Sequence, residues 1–72
     1  MKYKIVLDTV SDITNFVKNV SLATEAKVTV TDGGGLRVNA KSMIGMLYAL
    51  EFEELWCESD TEIYEKIRQW VR

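Results

Sequence analysis

The chemistry open to this chain is bounded first by a missing residue type: it has no histidine. Reactions that rely on an imidazole base, nucleophile or metal ligand are therefore outside its reach. The residues left to weigh are a lone thiol at Cys57, carboxylates at Glu51, Glu53 and Glu54, a glycine run at Gly33, Gly34 and Gly35, and the hydroxyl of Ser42. Cys57 has neither a histidine nor an obvious cationic neighbour to generate a thiolate, and its alternation with Leu55 reads as core. The carboxylates have no histidine or second cysteine with which to complete a metal site, so they read as a solvated acidic turn. The glycine run lacks the trailing Gly-Lys-Ser/Thr of a phosphate loop and reads as a hairpin turn. These residues suggest no catalytic group, metal or cofactor, and so no enzyme.

Ser42 and the residues after it carry more information. Met43, Ile44, Met46, Leu47, Tyr48, Ala49 and Leu50 are apolar on every side of a short helix. A helix lying on an open sheet buries only one stripe. With Met43, Met46 and Leu50 turned to the core, Ile44, Leu47 and Tyr48 lean outward as a partner surface. Ser42 stands at the rim of that patch as an N-cap. A phosphate there would meet free N–H groups and the positive end of the helix dipole.

The elements that would position these residues follow from periodicity. Four segments alternate as half-buried strands do. Tyr3, Ile5 and Leu7 face inward in the first, Val28 and Val30 in the second, Leu36, Val38 and Ala40 in the third, and Leu55 and Cys57 in the fourth. Three segments have helical spacing. The first has the stripe Ile13, Phe16, Val17 and Val20 and takes Ser11 or Asp12 as its cap. The second runs from Met43 to Leu50. The third runs from about Thr61 to the end with the stripe Ile63, Ile67, Trp70 and Val71. There, Ser59 and Glu62 have capping-box spacing, and Glu62 and Lys66 form an i,i+4 pair.

The order is thus β-α-β-β-α-β-α. A right-handed strand-helix-strand crossover leaves a gap for another strand. Glu54 and Glu58 on the outward face of the fourth strand would pair with Lys2, Lys4 and Lys27 on the first and second, at about 0.2–1 kcal/mol per cross-strand pair. This places the fourth strand in the gap. The expected fold is α+β, an antiparallel four-stranded sheet in order 1-4-2-3 with three helices on one face and the other face wet. Trp56 falls on that wet face.

The whole chain, 72 residues, is expected to form one domain. At this size roughly 60% of the unfolded chain's surface is buried on folding, which leaves no room for a deep substrate cavity. A net charge of −2 argues against a nucleic-acid partner. The opening apolar run is too short for a signal peptide or membrane span, and a single cysteine suits a cytoplasmic protein. Asn19-Val20-Ser21 matches a glycosylation sequon by chance in that setting.

The stretch Asn39-Ala40-Lys41-Ser42-Met43-Ile44-Gly45-Met46-Leu47 resembles the surroundings of the regulatory serine in HPr, the small phosphocarrier of the bacterial sugar phosphotransferase system. The order of strands and helices is similar along nearly the whole chain, and the order 1-4-2-3 is also that of the HPr-like open-faced sandwich. In that family the phosphoryl-carrying histidine lies just after the first strand, in a Gly-x-His-x-Arg-Pro motif that opens the first helix. The matching stretch here is Val10-Ser11-Asp12-Ile13-Thr14-Asn15. Asp12 or Ser11 stands at the histidine, Thr14 at the arginine and Asn15 at the proline. Phosphohistidine transfer is therefore excluded, and an aspartyl phosphate on Asp12 would need a built site and usually a metal. Leu50-Glu51-Phe52-Glu53 also replaces a longer, glycine-containing connection of the family.

The chain is accordingly similar to a histidine-lacking variant such as the catabolite-repression homologue of HPr. The resemblance implies a non-catalytic regulator, phosphorylated at Ser42 by HPr kinase/phosphorylase and then read by a LacI-type transcriptional regulator through Lys41, Ile44, Leu47 and Tyr48. The alternative is a structural binding module, unphosphorylated at either family site, that docks or forms a homodimer through its second helix or by exchanging its first strand.

Overall fold

A computed structural model describes residues 1–72 and shows strands β1 (Lys2–Ile5), β2 (Val28–Thr31), β3 (Arg37–Asn39) and β4 (Leu55–Ser59) with helices α1 (Val10–Ala23), α2 (Met43–Tyr48) and α3 (Tyr64–Ile67). The sheet order is β1-β4-β2-β3, antiparallel throughout, and the helices lie together on one face as the alternation of the strands requires. Lys2 pairs in register with Glu58, and their side chains meet at 3.8 Å. The second ion pair of Glu58 is with Arg37 of β3 rather than with Lys27. The Arg37 guanidinium, with Lys2 beside it, holds the Glu58 carboxyl below its ordinary pKa.

The core lies between sheet and helices. Ile5, Val28, Val30, Leu55 and Cys57 from the strands meet Ile13, Phe16, Val17 and Val20 of α1 and Ile67 and Trp70 from the C-terminal segment. Phe16 and Trp70 pack edge to face with ring centroids 5.4 Å apart, a geometry that adds about 0.5–1.5 kcal/mol to area burial. The Asn19 amide donates to the Lys66 carbonyl at 3.1 Å and fastens α1 to α3, so the side chain of the sequon has an internal partner.

Several local expectations are corrected. The cap of α1 is Thr9, not Ser11 or Asp12. Thr9 Oγ1 accepts the Asp12 N–H at 3.0 Å, and Asp12 Oδ2 accepts the Thr9 N–H at 3.3 Å, which completes a reciprocal capping box one turn earlier. Leu36 is 58% exposed rather than inward, because β3 begins only at Arg37 and Leu36 belongs to the turn. Gly33 in that turn has φ +89°, which a residue with a Cβ rarely adopts.

The third helix is shorter than its periodicity suggests. Ser59 ends β4 and its hydroxyl accepts the Thr61 N–H at 3.1 Å. Glu62 accepts the Tyr3 hydroxyl at 3.0 Å and the Tyr64 N–H, so neither the capping box with Ser59 nor the pair with Lys66 forms. The side-chain ion pair of this segment is Glu65–Arg68 at 3.6 Å. After α3 a single 3-10 turn, Arg68–Trp70, leads into an extended tail. The tail then pairs with the outer edge of β1: the Val6 N–H donates to Trp70 O, the Arg72 N–H donates to Lys4 O, and Ile5 faces Val71. An edge strand otherwise leaves such groups unpaired.

No helix is long and apolar enough to cross a membrane.

Candidate functional site

The segment from Asn39 to Tyr48 brings the singled-out residues together. As β3 ends, the Asn39 side chain folds back on the chain: its Oδ1 accepts the Lys41 N–H at 2.9 Å, and its carbonyl accepts the Ser42 N–H at 3.0 Å. This side-chain turn leaves Ser42 with extended backbone angles, φ −103° and ψ 119°, as an N-cap requires. Ser42 Oγ accepts the Gly45 N–H at 3.1 Å, and Ser42 O accepts the Met46 N–H at 2.8 Å to begin α2.

Ser42 is half-buried, with its hydroxyl bound locally through an acceptor lone pair. Gly45 faces it closely. A Cβ at Gly45 would lie 3.4 Å from Ser42 Oγ and 3.4 Å from Asn39 O, so glycine keeps the space beside the hydroxyl open. Asn39 is a positioning residue that periodicity alone assigns to a strand. Its legible signal is an Asn two residues before an amide that it can accept from, directly ahead of a helix.

The apolar residues divide differently from expectation. Met46 and Ala49 are fully buried, whereas Met43 and Leu50 are exposed. The helix is regular only to Tyr48 and tightens into a 3-10 turn over Ala49–Glu51, which rotates Ala49 under the sheet in place of Leu50. Ile44, Leu47 and Tyr48 do face outward, at 75%, 41% and 69% exposure. Lys41 is less free than its neighbours, because its Nζ donates to the Thr24 carbonyl at the C-cap of α1, at 2.6 Å.

The other residues considered for chemistry are held by the fold. Ser11 is exposed on the first turn of α1. Asp12 accepts the Asp8 N–H at 3.0 Å as well as that of Thr9. The backbone N–H of Asp8, then that of Thr9, keeps the Asp12 carboxyl below its ordinary pKa. Such a carboxylate is a cap. Cys57 is fully buried in β4, and burial pushes its thiol up to about 12, where no thiolate forms at neutral pH. Thr14 uses its hydroxyl on the Val10 carbonyl at 3.0 Å, and Asn15 is exposed.

Trp56 on the open face of the sheet is covered rather than bare. Lys2 and Lys4 place their ammonium groups 5.1 and 5.8 Å from its ring centroid, and its indole N–H donates to Glu54 Oε1 at 2.9 Å.

No family model, curated protein or solved structure matches the chain.

Proposed function

We propose that this chain is a non-catalytic, HPr-like regulator acting in the cytoplasm, switched by phosphorylation of Ser42 and read through Ile44, Leu47 and Tyr48. The observation that carries the reading is the position of the Ser42 hydroxyl. It is half-buried at the start of α2, beside a position where glycine leaves room, and the helix it opens turns three apolar side chains outward. A phosphoryl group on Oγ would add a dianion with strong acceptor oxygens next to the Gly45 N–H without entering the core. A partner could then pair arginine with the phosphate while covering the apolar surface. The resemblance supplies the agents: an HPr kinase/phosphorylase to add the group and a LacI-type regulator to read it. Asp12, committed to the cap of α1, supports the view that the chain carries no phosphoryl group at the family's first site.

The test is to incubate the purified chain with HPr kinase and ATP and weigh the product. The reading expects one added phosphate, absent in Ser42→Ala. No added mass, or a phosphate retained in Ser42→Ala, removes it.

The exposure of Ile44 and Tyr48 equally favours a second reading, an unphosphorylated module that pairs with another copy through α2. Sedimentation at high concentration would then show a dimer that Leu47→Glu disperses, and a persistent monomer would dismiss it.

A further inference from the structure

At the far end of α2 from Ser42, a groove of about 530 Å³ runs between β3 and the connection from α2 to β4. Its apolar lining comes from Leu36, Val38, Tyr48 and Phe52. Its walls carry the carboxylates Asp32, Glu51, Glu53 and Glu54, with Arg37 as the one cation. The shallow surface of Ile44 and Leu47 shares Tyr48 and Glu51 with it, so groove and patch are continuous.

The charges of the walls are unequally committed. Arg37 is engaged by Glu58 on the open face of the sheet. Asp32 accepts the Gly34 and Leu36 N–H groups of its own turn, and Glu54 accepts the Trp56 indole. Glu51 and Glu53 are exposed and joined to no cation. An apolar lining beside uncompensated carboxylates selects for an apolar side chain flanked by positive charge. It selects against anionic surfaces such as nucleic acid. A two-fold contact between copies through the groove would bring the two acidic linings together, because such an interface joins like patch to like patch.

We propose that this groove is a docking site for a protein segment that presents an apolar anchor residue flanked by lysine or arginine. The anchor would lie on Leu36, Tyr48 and Phe52 while its basic neighbours face Glu51 and Glu53. Docking here does not require a phosphate on Ser42, although the groove shares Tyr48 with the surface assigned to that reading.

The probe is a displayed random library of peptides of about 12 residues, selected on the whole chain and counter-selected on the double variant Leu36→Ser, Tyr48→Ser. Both substituted residues are exposed, and an unchanged unfolding midpoint confirms that the variant is folded. The expected winners carry an aliphatic or aromatic residue beside two or more basic ones. As free peptides they should bind about tenfold more weakly to Glu51→Lys, Glu53→Lys, and weaken similarly between about 50 and 300 mM salt. Amide shifts on binding should centre on Leu36, Tyr48 and Phe52. Failure to enrich peptides, winners without basic residues, shifts centred on the open sheet face, or a chain dimer that Tyr48→Ser disperses would each overturn the assignment. Ser42→Ala should leave the affinity unchanged, which separates this docking from the phosphoserine reading.

Discussion

Helix α1 buries Ile13, Phe16, Val17 and Val20 and turns Ser11, Asn15 and Lys18 to solvent, with its exposed apolar residues, Val10 and Leu22, only near its ends. Helix α2, on the same face of the same sheet, buries only Met46 of its six residues and turns Ile44, Leu47 and Tyr48 outward. The first pattern is what folding alone requires of an amphipathic helix. The second leaves apolar area in water that folding does not use, which is how docking surfaces differ from the rest of a small domain. The caps differ in the same sense. Thr9 and Asp12 close α1 reciprocally, whereas Ser42 caps α2 alone, with its hydroxyl 3.4 Å from where a Cβ at Gly45 would lie.

The two helices differ most in what their core residues contribute. Phe16→Ala empties a fully buried site against Trp70 and should cost about 3–5 kcal/mol in urea unfolding, a large part of the stability of so small a domain. A cost under about 1 kcal/mol would mean that α1 is not the helix that closes the core.

Next in size, Thr9→Ala removes one half of the capping box and should cost about 1 kcal/mol. Ser42→Ala should cost no more than this, since the cap it loses is single. Equilibrium unfolding of the two variants side by side would reverse the comparison if Ser42→Ala proved the more damaging.

A smaller effect is expected from acid. The folded Asp12 carboxyl, held by the N–H groups of Asp8 and Thr9, has a pKa below that of the unfolded chain. Its ionised form therefore favours folding. That contribution is whole above the unfolded value of about 4 and fades as pH falls through the lower, folded value. Glu58, lowered first by its hydrogen bond from Arg37, acts in the same direction. Unfolding midpoints measured downward from pH 5 should fall less steeply in Asp12→Asn than in the parent chain, and parallel slopes would contradict the cap geometry.

The smallest stability change belongs to the outward patch: Ile44→Ser should alter unfolding by no more than about 0.5 kcal/mol. A cost comparable with that of Phe16→Ala would show that Ile44 is covered, and would cancel the distinction between the two helices.

How far residues alone led is visible in particular places. The strand phases held at Ile5, Val30, Leu55 and Cys57, where a two-residue period against a single core leaves little choice. The sheet order also held, since Lys2 and Glu58 are cross-strand partners. Charge alone favours Lys27 as a partner of Glu58, yet Arg37 takes that place, because side-chain sign says nothing about which cation a strand's register brings near. In the candidate site, the outward Ile44, Leu47 and Tyr48 are legible from the excess of apolar residues on a short helix, and Ser42 as the cap from its place ahead of them. The supports of Ser42, by contrast, are Asn39 and Gly45, whose parts depend on backbone approach across the turn.

From sequence alone came the four strands, the stripe of the first helix, the absence of imidazole chemistry and the apolar excess of α2, because these depend on residue type and period and every compact arrangement must honour them. Tertiary structure alone decided that Ala49 rather than Leu50 turns inward, that Lys2 and Lys4 cover Trp56, and that the tail leaves its helix at Trp70 to pair with β1. Each of those outcomes depends on a neighbour distant in sequence. The edge of β1 offers the tail backbone partners that a further turn of helix would leave unpaired, and no local pattern in the last residues records that the edge is there.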